Sequence, residues 1–541
     1  MVNLVKKLLK KINSKREIQK YINSRKFKHL QHETNLKINE NLNKINYYKD
    51  NYIEKFFFKN FNNQNEIITQ YILNNINWKN LQKKIIIGKY KAVSLPANLS
   101  FLKNLSINIK INFFLSFVTF YLFVIKSFLF GVIYYFWKII TFFIGKKNYQ
   151  TAIRDSSFFL GINKNCINDN FSNDLNTYGL SDWFFKDFNQ EKNKSFFFHN
   201  CKDKKKTKNP KFFFISSPIN IIKVKTLLYF VFFGFFLILF SLIHLLLFKW
   251  KLPLFLKELL SSNIIRNTPD EFLSKNYFFN NSSWVFRPLW TYEAEKKNSN
   301  VIMFFYASNI ESIKKDDENT LKPINFYSLM TWKNYYVWDN HHENTLKSFL
   351  KQKNYSHDSI FKLVGPIPFE DKPLNFGLKN EHINIVIFDI PLYRRANSYY
   401  FDFETSFYTY ENIKKFYFDI LEIFNEKDLK NVKLFLKTKR SINTNIHDKR
   451  YKKLISKLSN SIEIIDPHVS AIKLAKNFDA CISLPFTSTS RIFDNLGKKA
   501  VYFDPVGYFK KKHKAAKNIQ ILNNDELKNW VFKIKNEIKQ K

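Results

Sequence analysis

Residues 484–491 read LPFTSTSR, which places four hydroxyl-bearing residues in succession, Thr487, Ser488, Thr489 and Ser490, behind a proline. The apolar run DACISL ends at Leu484, Pro485 cannot continue a ladder, and a helical pattern starts at Ser488, so hydroxyls and unpaired N–H groups gather where a helix begins. A phosphate or diphosphate suits such a place, because the helix dipole and its open N–H groups favour an anion. The competing reading is that Thr487 or Ser488 simply caps the helix. Two further groups stand at the ends of apolar runs. FLKTKR at 435–440 sets Lys437, Lys439 and Arg440 just beyond one, able to neutralise a leaving phosphate or to form a solvated turn. IIDPHVS puts Asp466 and Pro467 at the close of another, with Ser470 in a capping position.

A parallel sheet would bring these ends together. Short apolar runs recur as INIVIFD from 383, VKLFLK from 432, IEIID from 462, DACISL from 479 and AVYFD from 500. Helical patterns fall between them at 411–424, 448–458, 470–477 and 488–496. Strands separated by helices of this length imply right-handed crossovers and helices on both faces, a Rossmann-like half over residues 380–541. In such sheets ligands bind beyond the carboxyl ends of the strands. Upstream, VIMFFYAS from 301, YYVW from 335 and FKLVG from 361, with a helix at 342–351, outline a smaller α/β half over 280–370.

The rest of the chain is less regular. Residues 1–110 are polar, rich in Asn and Lys, and read as mainly helical; the opening MVNLVKKLLKKIN has no signal-peptide core and suits either a helix on an anionic membrane surface or an ordinary amphipathic one. Residues 111–145 are apolar except for Lys126 and Lys138, which cut the stretch below the length of a crossing helix unless both snorkel, and which leave an interfacial position open. A polar intervening region, 146–225, leads to a second apolar stretch at 226–248 without a formal charge, expected to be a transmembrane helix, with a buried core helix as the alternative. Lysines flank it on both sides, so charge gives no orientation.

Composition narrows the function. The 541 residues carry 87 Lys and Arg against 45 Asp and Glu, a formal charge of +42, while 45% are hydrophobic and 18% aromatic. That chain folds, and its charge suits anionic surfaces or phosphorylated ligands, but no nucleic-acid reader motif accompanies it. Three cysteines fit neither a zinc site nor a disulfide framework. No G-x-G-x-x-G, Walker-type loop or D-x-D pair occurs, against a dinucleotide dehydrogenase, a P-loop ATPase and a metal-dependent nucleotide-sugar transferase of that design. His341, His342 and Glu343 are adjacent on a helix, where side chains do not converge on one metal, and read as a polar helix start.

Taken in order, several blocks resemble the polysaccharide biosynthesis proteins named for their PFTS motif. The motif itself is Pro485, Phe486, Thr487 and Ser488, followed by GKKAVYFDP at 497–505, and similar blocks are FRPLWTYEAE, FFYASN, MTWKNYYVWD, VGPIPF, LKTKR and IDPHVSA. The likeness runs from about Arg154 onward, with Lys498-Lys499 in place of the family's Lys-Pro. It implies a role in surface polysaccharide assembly and an α/β fold of the GT-B type, two Rossmann-like halves with hydrophobic membrane-associating helices. Under that reading a metal-independent glycosyltransferase, needing no cofactor, holds the diphosphate of a nucleotide-sugar donor on Thr487, Ser488, Thr489 and Ser490. Lys437 and Arg440 balance the leaving nucleotide. Asp504 and Asp466 orient the nucleotide or its loop, and Asp339 or Glu293 supplies a base. Expected partners are the donor, a glycan or lipid-linked acceptor, the membrane and other assembly proteins, at the cytoplasmic face of a bacterial inner membrane. The alternative is a non-catalytic nucleotide- or glycan-binding member of a capsule or exopolysaccharide assembly complex.

Overall fold

The computed structural model describes residues 110–539, apart from most of the segments 145–155, 163–178, 189–195, 200–216, 282–285, 309–329, 352–358, 370–380, 393–406 and 440–446, with only isolated positions before 110. The expected helical N-terminal region therefore lies outside the described residues.

Among the described residues, two wholly parallel sheets form the framework. The first contains β1 (Ser156–Leu160), β2 (Phe196–His199), β3 (Phe212–Phe214), β4 (Asn276–Asn280), β5 (Asn300–Phe304), β6 (Asn334–Val337) and β7 (Ile360–Leu363), in the order β3-β2-β1-β4-β5-β6-β7. The second contains β8 (Ile383–Phe388), β9 (Val432–Lys437), β10 (Glu463–Ile465), β11 (Ala480–Ser483), β12 (Lys499–Phe503) and β13 (Gln520–Leu522), in the order β10-β9-β8-β11-β12-β13. Each sheet grows outward from its first strand, then returns to the centre and grows the other way. Each therefore has one topological switch point, between β1 and β4 and between β8 and β11.

The first half is larger than its expected bounds of 280–370. Residues 146–225, expected as a polar intervening region, contribute β1 to β3, and β4 lies just ahead of 280. These strands are three to five residues of mostly Phe set in polar sequence, too short for an alternating pattern. A strand within a parallel sheet needs no more than such a run.

Among the described residues, the helices of seven or more residues are α1 (Phe113–Ile144), α2 (Val224–Leu246), α3 (Lys251–Asn267), α4 (Trp290–Lys296) and α5 (Asn340–Lys351) in the first half, then α6 (Tyr410–Phe424), α7 (Lys449–Leu458), α8 (Ala471–Asn477), α9 (Ser488–Asn495) and α10 (Asn524–Lys539) in the second. The four helices expected between strands in the second half are α6 to α9. Three of them start on side-chain caps, where Thr409 accepts from the Asn412 N–H, Asp448 from that of Arg450 and Ser470 from that of Ile472.

Strand alternation divides the core. On one face of the first sheet Phe158, Tyr277, Phe279, Val301 and Met303 pack with Phe255, Leu256 and Leu259 of α3. On the other, Phe159 stacks on Phe278 at 4.4 Å between ring centroids, beside Leu180, Trp183 and Phe184. That second cluster continues into the other half through Val386, Phe388, Phe435 and Cys481. Ile385, Ile387 and Ile482 face the opposite way, onto α6, α7 and α10.

Both apolar stretches are single helices long and apolar enough to cross a membrane. Lys126 and Lys138 do not interrupt α1: the Lys126 ammonium lies 5.7 Å from the Phe130 ring, and Lys138 is buried, donating to the Ile219 carbonyl. The two helices run antiparallel. Tyr121 donates to the Phe248 carbonyl at one end, and Tyr135 to that of Val231 at 3.0 Å toward the other. Beneath both runs α3, its Trp250 neighbour edge-on to Phe120 at 5.6 Å, Ser261 bonded to the Tyr134 hydroxyl at 3.0 Å, and the Asn267 carbonyl accepting from Thr226 at 2.7 Å. Two glycines permit this approach. A Cβ on Gly131 would lie 2.6 Å from Leu256 Cγ, and one on Gly234 would overlap the Tyr135 ring.

Candidate functional site

The PFTS segment forms a sharp elbow at the switch point of the second sheet. Leu484 N–H extends the ladder to the Phe388 carbonyl at 3.1 Å, and the Pro485 carbonyl accepts from the Tyr408 hydroxyl at 2.9 Å. Phe486 then takes a left-handed backbone with φ 64°, an uncommon state for a bulky residue. Packing holds it there: its ring lies 4.8 Å from Phe509, 4.6 Å from His513 and 5.6 Å from Tyr502, whose hydroxyl donates to the Thr487 carbonyl. Helix α9 starts immediately afterwards, and Gly497, at φ 68°, ends it by letting its own N–H and that of Lys498 bond back to the Asp494 and Phe493 carbonyls.

The hydroxyls of the elbow turn toward one another. Thr489 donates to Thr487 at 3.0 Å, Thr487 to Ser483 at 2.8 Å, and Ser490 pairs with Ser483. Thr487 occupies the capping position without a side-chain cap bond, which corrects the capping alternative: the N–H groups of the first turn of α9 receive nothing from it. Thr487 and Ser490 are buried, whereas Ser488 and Thr489 are half-buried.

Opposite this helix stands the first half. Asp339 follows β6 and caps α5, accepting from the His342 N–H at 2.8 Å. The same carboxylate lies 2.5 Å from an Arg491 guanidinium nitrogen on α9 and 2.9 and 3.0 Å from the Lys517 ammonium. The carboxyl edges of the two sheets thus face each other across a bridge of three charges. Against the upward push of burial, Arg491, the His342 N–H and Lys517 hold the Asp339 carboxyl well below the usual carboxylate range. A carboxylate so held is a weak proton acceptor, so the expectation of a ready base at Asp339 gives way to a bridging carboxylate. The Arg491 Nε is buried without a partner, and its guanidinium carbon lies 5.8 Å from the Trp338 ring.

The other expected residues are distributed as follows. Glu293 is 4% exposed and paired to Arg266 of α3 at 2.8 Å, so it fastens α4 to α3 instead of facing a substrate. Lys437, the last residue of β9, is buried beside Asp389. Asp389 accepts from the hydroxyls of Tyr417, at 2.6 Å, and Tyr451, and from the Lys439 N–H; burial pushes its carboxyl up. Asp504 organises the turn after β12, accepting from Val506 and Phe509 N–H groups at 3.2 and 2.8 Å. Asp466 accepts from the His468 N–H at 2.8 Å and from Lys372 at 3.0 Å. Arg440 lies outside the described residues. His342, read as part of a polar helix start, is 1% exposed with its ring edge-on to Phe305 at 4.8 Å. Among the described residues no group of three or more His, Cys, Asp or Glu side chains is placed to hold a metal.

Three residues of this site escaped the sequence. Arg491 closes the LPFTSTSR run, and its place one turn into a helix at a strand end was a usable signal. Lys517 sits among so many lysines that nothing singles it out, and Asp389 follows its strand as any turn residue would.

Two doubly wound parallel halves with carboxyl edges opposed across a charged cleft define an α/β protein of the GT-B type. Residues 235–531, more than half of the chain, match the family described as Polysaccharide biosynthesis PFTS motif protein, and the chain belongs to that family. No curated protein matches it in sequence. Similar solved structures include trehalose-6-phosphate from E. coli bound with UDP-2-fluoro glucose, at 9% identity and TM-score 0.35 over 70% of this chain and 91% of that one. Alpha,alpha-trehalose-phosphate synthase (UDP-forming) from Burkholderia vietnamiensis follows at 7% identity and TM-score 0.35, over 70% and 91%. The corresponding synthase of Burkholderia multivorans has 8% identity and TM-score 0.34, over 70% and 87%. At such distances they carry no argument about activity.

Proposed function

We propose that this chain is a membrane-associated glycosyltransferase of polysaccharide biosynthesis, transferring sugar from a nucleotide donor to a surface-glycan or lipid-linked acceptor without a metal. The observation that carries this reading is the opposition of an uncapped α9 N-terminus, with Arg491 on the same helix and Lys517 beside it, to the first half at the switch point. Fixed cations and helix N–H groups supply what a departing diphosphate needs. Ser488 and Thr489 complete the donor-phosphate site, Thr487 and Ser490 shape it, and Lys437 with Arg440 adds positive charge at the neighbouring strand end. Asp504 and Asp466 orient the loops around the nucleotide. Asp339 leaves its cations to the diphosphate when the donor arrives.

The test is release of nucleotide from a panel of nucleotide sugars by purified protein, with and without lipid-linked acceptor. Release that depends on acceptor and falls in an Arg491→Ala variant supports the transferase. The pairing of both expected bases, Asp339 and Glu293, favours a second reading, a partner in an assembly complex that binds nucleotide without turnover. Binding with no release from any donor would select it. The membrane association rests on the two apolar helices, and flotation with liposomes tests it separately.

A further inference from the structure

We infer that α1 and α2 lie flat in one leaflet of an anionic lipid membrane as an in-plane docking surface, and do not cross it. The inference builds on the membrane association proposed above and concerns how the helices meet the lipid. A helix pair that spans a bilayer leaves its soluble domain at one end, because the roughly 30 Å hydrocarbon core excludes it. Here the soluble domain lies alongside. Helix α3 follows the pair from the Trp250–Phe120 contact through Leu256 against Gly131 to the Thr226–Asn267 bond, over 17 residues. Its opposite side is tied to the first half at two points, Glu258 accepting from the Leu289 N–H at 3.1 Å and Arg266 paired with Glu293. Those points are separated by about 12 Å along the helix axis. Were α1 and α2 to span, α3 with this hydrogen bond and this ion pair would sit at the depth of the hydrocarbon, at a cost of several kcal/mol per charged group.

The outward faces fit lipid. Among the described residues, the exposed large hydrophobic side chains lie almost wholly on this pair and its short exit turn; only Ile360, Leu363, Phe418, Leu496 and Val506 lie elsewhere. Neither helix contains an acidic residue, and exposed lysines stand at both ends of the pair: Lys110 and Lys249 at one, Lys223 and Lys225 at the other. Cations at both ends give no inside–outside bias to a crossing helix, and in a flat pair both ends meet the headgroups of the same leaflet. The arrangement matches interfacial helices, which sink about 5–10 Å into the headgroup boundary.

The experiment uses the full chain with Cys201→Ser, which leaves only the buried Cys166 and Cys481, in sealed vesicles of 70% phosphatidylethanolamine and 30% phosphatidylglycerol. Lys110→Cys and Lys225→Cys place a thiol at opposite ends of the pair, for labelling by a membrane-impermeant maleimide. A flat pair gives both labels from the outside of vesicles to which protein was added. Labelling of the two from opposite sides would overturn the in-plane layout while leaving membrane association intact. Failure to float at all would overturn both, and a stable dimer in detergent-free buffer would instead assign the apolar face to a second copy. A double variant, Ile133→Glu with Phe232→Glu, changes only outward side chains and should lower the vesicle-bound fraction at least about tenfold. Nucleotide binding by that variant stays unchanged, so loss of lipid binding is separable from failure of the transferase reading.

Discussion

Asp339 joins Arg491 and Lys517 across the cleft and so occupies the two cations best placed for an anion, leaving the trio one positive charge. Any diphosphate that uses them first displaces this carboxylate. Asp339→Asn should therefore tighten binding of a nucleoside diphosphate by about three- to tenfold, since a neutral amide competes less well than a carboxylate for a charged donor. Calorimetric titration measures it, and weaker binding would show that Asp339 positions the cations instead of competing for them. Arg491→Ala should cost about 10- to 100-fold in the same titration, the usual worth of a charge-assisted bond. The hydroxyl cluster was legible as a place but not as a geometry. A string of Thr and Ser names donors, whereas the inward bonds from Thr487 and Ser490 to Ser483 depend on where Phe486 turns the chain.

At the scale of elements, Phe486 is the residue that makes the elbow. Its ring is buried among Tyr502, Phe509 and His513, so Phe486→Ala should destabilise the second half by about 3–5 kcal/mol, as for other buried phenylalanines. Urea unfolding followed by near-ultraviolet circular dichroism tests this. Gly131→Val places methyl groups into Leu256 and should separate α1 from α3 at a cost of about 1–3 kcal/mol, seen as faster proteolysis between them. The eight strands and five helices expected from pattern recur in the fold, because Rossmann crossovers alternate apolar runs with amphipathic ones at regular intervals. What pattern missed follows a physical rule too. β1 to β4 are short runs of Phe among Asn and Lys, and α3 mixes Lys, Glu and Arg with leucines because it is enclosed between two helices on one side and α4 on the other.

Across the whole molecule, acid should act through His342. Burial, with Arg491 and Lys517 nearby, pulls its imidazole down to about 3, so the folded state keeps it neutral while the unfolded chain takes up a proton below about 6.5. A depressed folded value gives stability that is complete above the unfolded pKa and lost as pH falls. Between about pH 8 and pH 5 the loss is about 2 kcal/mol. The Asp339 carboxyl, held low, stays ionised through that window and adds nothing to the slope. Chemical unfolding at the two pH values measures the loss, and His342→Phe should flatten it.

Among the described residues, both apolar helices, α1 and α2, are fastened to the first half, through α3 and its ties to Leu289 and Glu293. The second half, with the elbow and its cations, hangs from that base. On the transferase reading proposed above, such a division separates the search for the two substrates by dimension. An acceptor confined to a surface reaches the first half by lateral diffusion in two dimensions, while a soluble donor arrives at the second half from three. Rate should then follow the surface density of acceptor, not its bulk concentration, and diluting lipid-linked acceptor with plain lipid at constant total acceptor would slow the reaction.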